Sequence, residues 1–178
     1  MILNDIRNQI SSFTVDPKPR ALGIIELVLI HRIDGCGETG LEIAEYFRNV
    51  KLGTNGKMPY AFIIRRDGQV DYCVDMAFIA PAALAASKHS IQVAFIGNFT
   101  KEPPSLAQHN AGLELCTALC QWLGKVCIEG HTERPGRSKA AHKNCPGKFF
   151  NIHDFKAHVK ECVRLCSREN LTRLGVTV

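Results

Sequence analysis

The chain has 178 residues, 46% of them hydrophobic and 22% charged, with a formal net charge of +5. Those values fit one globular domain able to bury roughly two-thirds of its unfolded surface, and they exclude global disorder. No apolar run approaches the ~18 residues of a membrane span; the longest, Ala21 to Ile30, is broken by Gly23 and Glu26. Met1 to Ser12 alternates polar and apolar residues and carries Asp5 and Arg7, so no secretory signal is expected there. Eight cysteines, about 4.5% of the chain, fall below the ~8–10% of disulfide scaffolds, and without a signal sequence reduced thiols are expected.

In chain order, Ile2 to Ser12 reads as a short first helix, followed by a connector from Thr14 to Arg20 that holds Pro17 and Pro19. Ile24 to Ile30 is short and rich in branched apolar residues, which predicts a buried strand. Gly35, Gly37 and Gly40 mark a loop, Leu41 to Val50 a helix, and Gly53 to Pro59 another loop. Tyr60 to Arg66 and Gln69 to Asp75 are strand-like and meet at Asp67-Gly68, a strong hairpin signal. Ile79 to Ser87 is Ala-rich and predicts a short helix; Ser90 to Ile96 predicts a strand ended by Gly97-Asn98.

Ser105, with Gln108 three residues on, fits a capping box at the start of the longest helix, which runs to Gly124 with Leu113, Cys116, Cys120 and Leu123 as its apolar stripe. Val126 to Ile128 reads as a short strand, Gly130 to Lys148 as a polar loop, and Phe155, Val159, Cys162 and Cys166 as the stripe of a closing helix. The order predicts an α/β fold: a central mixed sheet flanked by helices.

Three reactive side chains fall at predicted strand ends or in the polar loop: His31 directly after the apolar strand, His131 directly after Glu129-Gly130, and Cys145 in Asn144-Cys145-Pro146-Gly147. Imidazole and thiolate suit zinc, and three protein ligands with one open position make a catalytic site. His142, three residues before Cys145, is an alternative donor, and composition and periodicity do not choose between it and His131. Read singly, each also fits an ordinary boundary or turn residue, as Tyr60 fits a packed strand aromatic and Lys143 a solvated loop lysine. The i, i+4 pairs Cys116/Cys120 and Cys162/Cys166 read as buried thiols on apolar helix faces. His109, His153 and His158 read as solvated helix residues. Basic residues are scattered and not interleaved with aromatics, which argues against nucleic acid.

Leu27-Val28-Leu29-Ile30-His31, Pro59 to Gly68, Ser90 to Phe99, Glu129-Gly130-His131 and Cys145-Pro146-Gly147 follow one another in an order that resembles the zinc-dependent N-acetylmuramoyl-L-alanine amidases. This group includes phage amidase endolysins and peptidoglycan-recognition proteins. The resemblance spans about Leu27 to Phe150. It implies a single amidase-like domain over residues 1–178, with a family-like core at about 24–150 between helical extensions. It also implies zinc held by His31, His131 and Cys145, with Tyr60 and Lys143 as catalytic residues. The implied reaction is hydrolysis of the amide between N-acetylmuramic acid and L-alanine in peptidoglycan or its fragments. The alternative is a non-catalytic peptidoglycan-binding module, which the Cys145 donor disfavours.

The implied partner is peptidoglycan or a muropeptide, with no nucleic acid and no membrane insertion; oligomeric state is not assigned. Synthesis in the cytoplasm, with action at the wall after lysis or delivery, is the matching expectation. Departures from the family pattern are Ala61 after Tyr60 where a His is common, Ala94 where some relatives carry an acid, and Leu84-Ala85-Ala86-Ser87 where an aromatic-His-Ala segment often stands. The stretch from Thr132 to Asn144 is longer than in many phage relatives, and Arg134-Pro135-Gly136-Arg137 resembles a segment of the cytosolic recycling amidases. With Ala94 in place of an acid, Glu133, two residues after the implied ligand His131, is the alternative carboxylate.

Overall fold

Ser90–Ile96 is buried at every position and Leu27–Ile33 at all but Arg32, as strands covered on both faces must be. In the computed structural model, which describes residues 1–11, 18–50, 56–125, 127–134 and 144–166, these runs are the centre of one sheet. Part of the Thr14 to Arg20 connector, residues 51–55 of the next loop, Val126, the segment holding Pro135, His142 and Lys143, and the tail after Cys166 lie outside the described residues.

The strands are β1 (Ile2–Asp5), β2 (Leu27–Ile33), β3 (Phe62–Ile64), β4 (Gln69–Tyr72), β5 (Ser90–Ile96) and β6 (Ile128–Gly130). Their order across the sheet is β1-β4-β3-β5-β2-β6. The β3–β4 hairpin is antiparallel and the remaining neighbours are parallel. The expected α/β class, a mixed sheet flanked by helices, is the fold observed.

Alternation along each strand divides two layers of helix. Val28 and Ile30 of β2, with Ile91, Val93 and Phe95 of β5, pack against α3 (Leu106–Leu123) and α4 (Ile152–Leu165). Ile33, Ile63, Ala94 and Ile96 point the other way, into a core shared with Ile10 of α1 (Arg7–Ser11) and Ile43 and Ala44 of α2 (Gly40–Val50). His31 and Gln92 share that second face by the same alternation.

The start of α2 is tied to the sheet by a buried carboxylate. Asp71 of β4 accepts from the Gly40 amide at 2.7 Å and from Arg65 at 2.7 and 2.5 Å. A Cβ on Gly40 would lie 2.7 Å from Ile6 and 2.9 Å from Asp71, so this close approach requires glycine.

Local signals located β5, the hairpin and α3. Ser105 and Gln108 form the reciprocal capping box, and Gly124 ends α3 in the left-handed conformation at φ 70°. Four readings are corrected. Ile2–Asp5 is a strand and only Arg7–Ser11 is helical, because the parallel pairing of Ile2 to Asp5 with Gln69 to Tyr72 outweighs local helix preference. The strand expected at 24–30 runs from Leu27 to Ile33, since its pairing with β5 continues through Arg32↔Phe95 and Ile33↔Ile96. The segment before β5 is a 3-10 turn over Leu84–His89, where the Ser87 hydroxyl takes the Ala83 amide at 2.7 Å. β6 lies two residues later than expected, at the positions that pair with Val28 to Ile30. The closing helix buries Phe155 and Val159, leaves Cys162 half-buried and exposes Cys166. His153 and His158 are exposed as expected, whereas His109 is half-buried beside Phe155, its ring 5.7 Å away.

α3 crosses the sheet at Gly112, where an added Cβ would lie 2.4 Å from the Phe95 ring. On helix propensity alone Gly112→Ala would stabilise by ~1 kcal/mol; overpacking costs ~1–3 kcal/mol and outweighs it. Gly112→Ala is therefore expected to lower the denaturant midpoint, and an unchanged or raised midpoint in equilibrium unfolding would contradict the close crossing.

Candidate functional site

His31 lies inside β2, two residues before its end, and not after it as the sequence suggested. Pairing of Ile30 with Gly130 then carries the chain straight from β6 into a 3-10 turn that begins at His131. The two imidazoles stand with ring centroids 4.4 Å apart and planes at 56°.

The third side chain arrives from a loop. The Cys145 carbonyl accepts from both the amide and the hydroxyl of Thr132 at 3.1 Å, which ties this loop to the His131 turn. The Cys145–Pro146 peptide is cis. Gly147, at φ 139°, lies so close to the backbone of Phe99 that a Cβ would sit 2.4 Å from its carbonyl oxygen. The Phe149 amide then donates to that same carbonyl at 2.9 Å. These contacts seat Cys145 with its Sγ 4.0 Å from His31 Nδ1 and 3.4 Å from the Arg32 amide.

His31, His131 and Cys145 are all buried, and one donor atom from each lies within 4.8 Å of the other two. Two nitrogens and a sulfur so placed fit the donor chemistry of zinc and could hold a metal ion. His142, the alternative donor, lies outside the described residues, as does Lys143.

Tyr60 packs its ring 5.4 Å from that of His31 and 6.2 Å from that of Phe47. Burial first, then the nearby Cys145 and Cys36 thiols, hold its phenol well above the ordinary tyrosine range. Ala94 is wholly buried, level with His31 and Ile63, so no carboxylate reaches the site from β5. Glu133 is committed elsewhere: it accepts from the Gly130 amide at 2.5 Å and from Lys156 at 2.7 Å. Burial alone would raise its pKa, but these two donors hold it below the usual carboxylate value.

Gln92 was not singled out from the sequence, and it touches the site directly. It is wholly buried, with its Oε1 2.7 Å from His31 Nε2 and its Nε2 2.5 Å from Ser90 Oγ. Arg20 braces the same corner, donating to the carbonyls of Met76 at 2.8 Å, Ser87 at 3.0 Å and Ser90 at 2.7 Å. Burial pulls its pKa down to about 10, so it stays charged at neutral pH. The available signal is a glutamine at the third position of a central strand otherwise built of apolar and small residues, where a buried amide needs a partner.

A family model for N-acetylmuramoyl-L-alanine amidases (Amidase_2) matches residues 21–148, most of the chain and all of the trio. The chain belongs to this amidase family. Solved structures of similar fold include the amidase LysC from Clostridium intestinale URNW, at 17% identity and a TM-score of 0.71 over 90% of this chain and 98% of that one. The Ph2119 endolysin of a Thermus scotoductus MAT2119 bacteriophage aligns at 18% identity and 0.70, over 88% and 98%. Bumblebee PGRP-SA aligns at 22% identity and 0.63, over 85% and 92%. No curated protein matches the sequence. Among the described residues of this amidase-family chain, no helix is long and apolar enough to cross a membrane.

Of the eight cysteines, Cys166 is exposed, Cys36, Cys127 and Cys162 are half-buried, and Cys73, Cys116, Cys120 and Cys145 are buried. A hydrogen bond from Cys120, then the charge of Lys125, favours the Cys127 thiolate, whereas burial holds the Cys73 and Cys116 thiols high. Timed thiol labelling of the native, unreduced protein should therefore modify Cys166, Cys127, Cys36 and Cys162 first. The buried four should react only on unfolding; early labelling of Cys116 would contradict the packing of α3.

Proposed function

We propose that the chain is a zinc-dependent N-acetylmuramoyl-L-alanine amidase. Its reaction is cleavage of the amide between N-acetylmuramic acid and L-alanine in peptidoglycan or muropeptides. The observation that carries this reading is the buried trio of donor atoms within 4.8 Å of one another, lying inside the amidase match. His31, His131 and Cys145 are the proposed ligands. Zinc bound there supplies a Lewis acid and lowers the pKa of a bound water to about 7.

The remaining work falls to this chain's own residues. Tyr60 beside His31 is the proposed hydrogen-bond donor that orients the attacking water or the tetrahedral intermediate. Lys143, two residues before Cys145, is the proposed cation for the developing oxyanion, because charge near that oxygen lowers the barrier. Glu133 is set aside as general base, since both of its oxygens face Lys156. Residues 1–178 are proposed to act as one domain, with synthesis in the cytoplasm and action at the wall after lysis or delivery.

Elemental analysis should find one zinc per chain, lost in His31→Ala, His131→Ala and Cys145→Ala. Mass spectrometry of digested peptidoglycan should show stem peptides released at the lactyl-alanine bond. Lys143→Ala and Tyr60→Phe should keep zinc and fold but lose ~10²–10³ in kcat, or about 3–4 kcal/mol. Zinc-loaded protein that binds peptidoglycan and releases no peptide would replace this reading with that of a binding module.

A further inference from the structure

We propose that Gln92 is a positioning residue that fixes His31 as the tautomer protonated on Nε2, and so leaves the Nδ1 lone pair on the side of Cys145. The consequence for metal rests on the zinc reading above; the tautomer does not.

The assignment follows from an ordered relay of donors. Ser90 Oγ lies 2.6 Å from the Ala86 carbonyl oxygen. A carbonyl only accepts, so the single hydroxyl proton of Ser90 is committed to it. Ser90 Oγ then has only lone pairs left for the Gln92 amide, 2.5 Å away. The amide atom facing it must be the nitrogen, which also lies 3.4 Å from the Ser90 carbonyl oxygen. A flipped amide would set its oxygen against two oxygens with no proton to share, so the network decides the orientation.

Gln92 Oε1 therefore faces His31, 2.7 Å from Nε2. An amide oxygen is an acceptor, so Nε2 carries the proton and, in the neutral ring, Nδ1 carries the lone pair. Nδ1 is the nitrogen beside Cys145 Sγ, at 4.0 Å. The frame does not yield readily, because Arg20 holds the carbonyls of Ser87 and Ser90 on the far side of the relay. β2 and β5 also lock Leu29 opposite Gln92 and His31 opposite Ala94, which makes His31 and Gln92 diagonal neighbours on one face. Outer partners of this kind set the tautomer and orientation of ligating histidines, and their loss typically weakens metal binding ~10–100-fold.

The test uses the full chain, zinc-free, with ¹⁵N-labelled histidine and His31→Asn to assign the resonances. Long-range ¹H–¹⁵N correlation should show the parent's His31 protonated on Nε2. Gln92→Met keeps bulk without an acceptor, and should mix the tautomers and weaken zinc retention against a chelator by ~10–100-fold. Gln92→Glu restores an acceptor, and should return both readouts toward the parent. If Gln92→Met does not fold, Ser90→Ala, which removes the group that orients the amide, should mix the tautomers in its place.

A parent His31 protonated on Nδ1, or a folded Gln92→Met with parental tautomer and zinc affinity, would overturn the proposal. A parent that is protonated on Nε2 but binds no zinc would instead overturn the metal reading and leave the tautomer assignment standing.

Discussion

The register of β2 between β5 and β6 governs the site. Ile30 pairs with Gly130 and His31 with Ala94, so the first residue past the short β6 is a histidine that arrives beside another histidine. Side chains alternate along a strand, so a slip of one residue would turn His31 into the core under α3 and α4 and send Ile30 toward the site. Such a slip would exchange apolar contacts for an unmatched imidazole, at a cost of several kcal/mol. The two-sided burial of β2 thus specifies the register and, with it, the pairing of imidazoles.

The third donor depends on a different kind of constraint. Cys145 is placed by neither strand nor helix, but by a loop pressed against Phe99 on one side and Thr132 on the other. Gly147 permits the first contact and the Thr132 side chain makes the second. The Glu133 carboxylate fastens the turn that follows β6 to α4 through Lys156. Residues that flank the donors in sequence therefore serve as their mounts, which explains why Glu133 is unavailable for proton transfer.

Legibility from sequence followed how local the governing interactions are. The capping box of Ser105 and Gln108 and the Asp67-Gly68 turn act within a few residues, and both were readable. β5 was located because its seven residues are uniformly apolar or small apart from Gln92. The N-terminal segment looks helical in isolation because its stabilising partner, β4, begins only at Gln69. In β2 the apolar run stops at Ile30, whereas backbone pairing continues through His31, Arg32 and Ile33. The five-block motif pattern points to His31, His131 and Cys145, whereas the meaning of Gln92 lies in a diagonal contact across two strands, which no local pattern carries.

His31 and Cys145 are 114 residues apart in sequence, and they meet only when the mixed sheet has assembled and the Pro-Gly loop has docked. An ion that joins them would recognise the folded chain and have little purchase on the unfolded one. By mass action, a free ion at a hundred times its Kd would then add ~2.7 kcal/mol to the unfolding free energy. That increment is a large share of the ~5–15 kcal/mol by which a domain is usually stable. It would bear most directly on β6, a three-residue edge strand that runs straight into the turn at His131. Chelation would then act as a denaturant with an address, loosening one margin of the sheet before the rest.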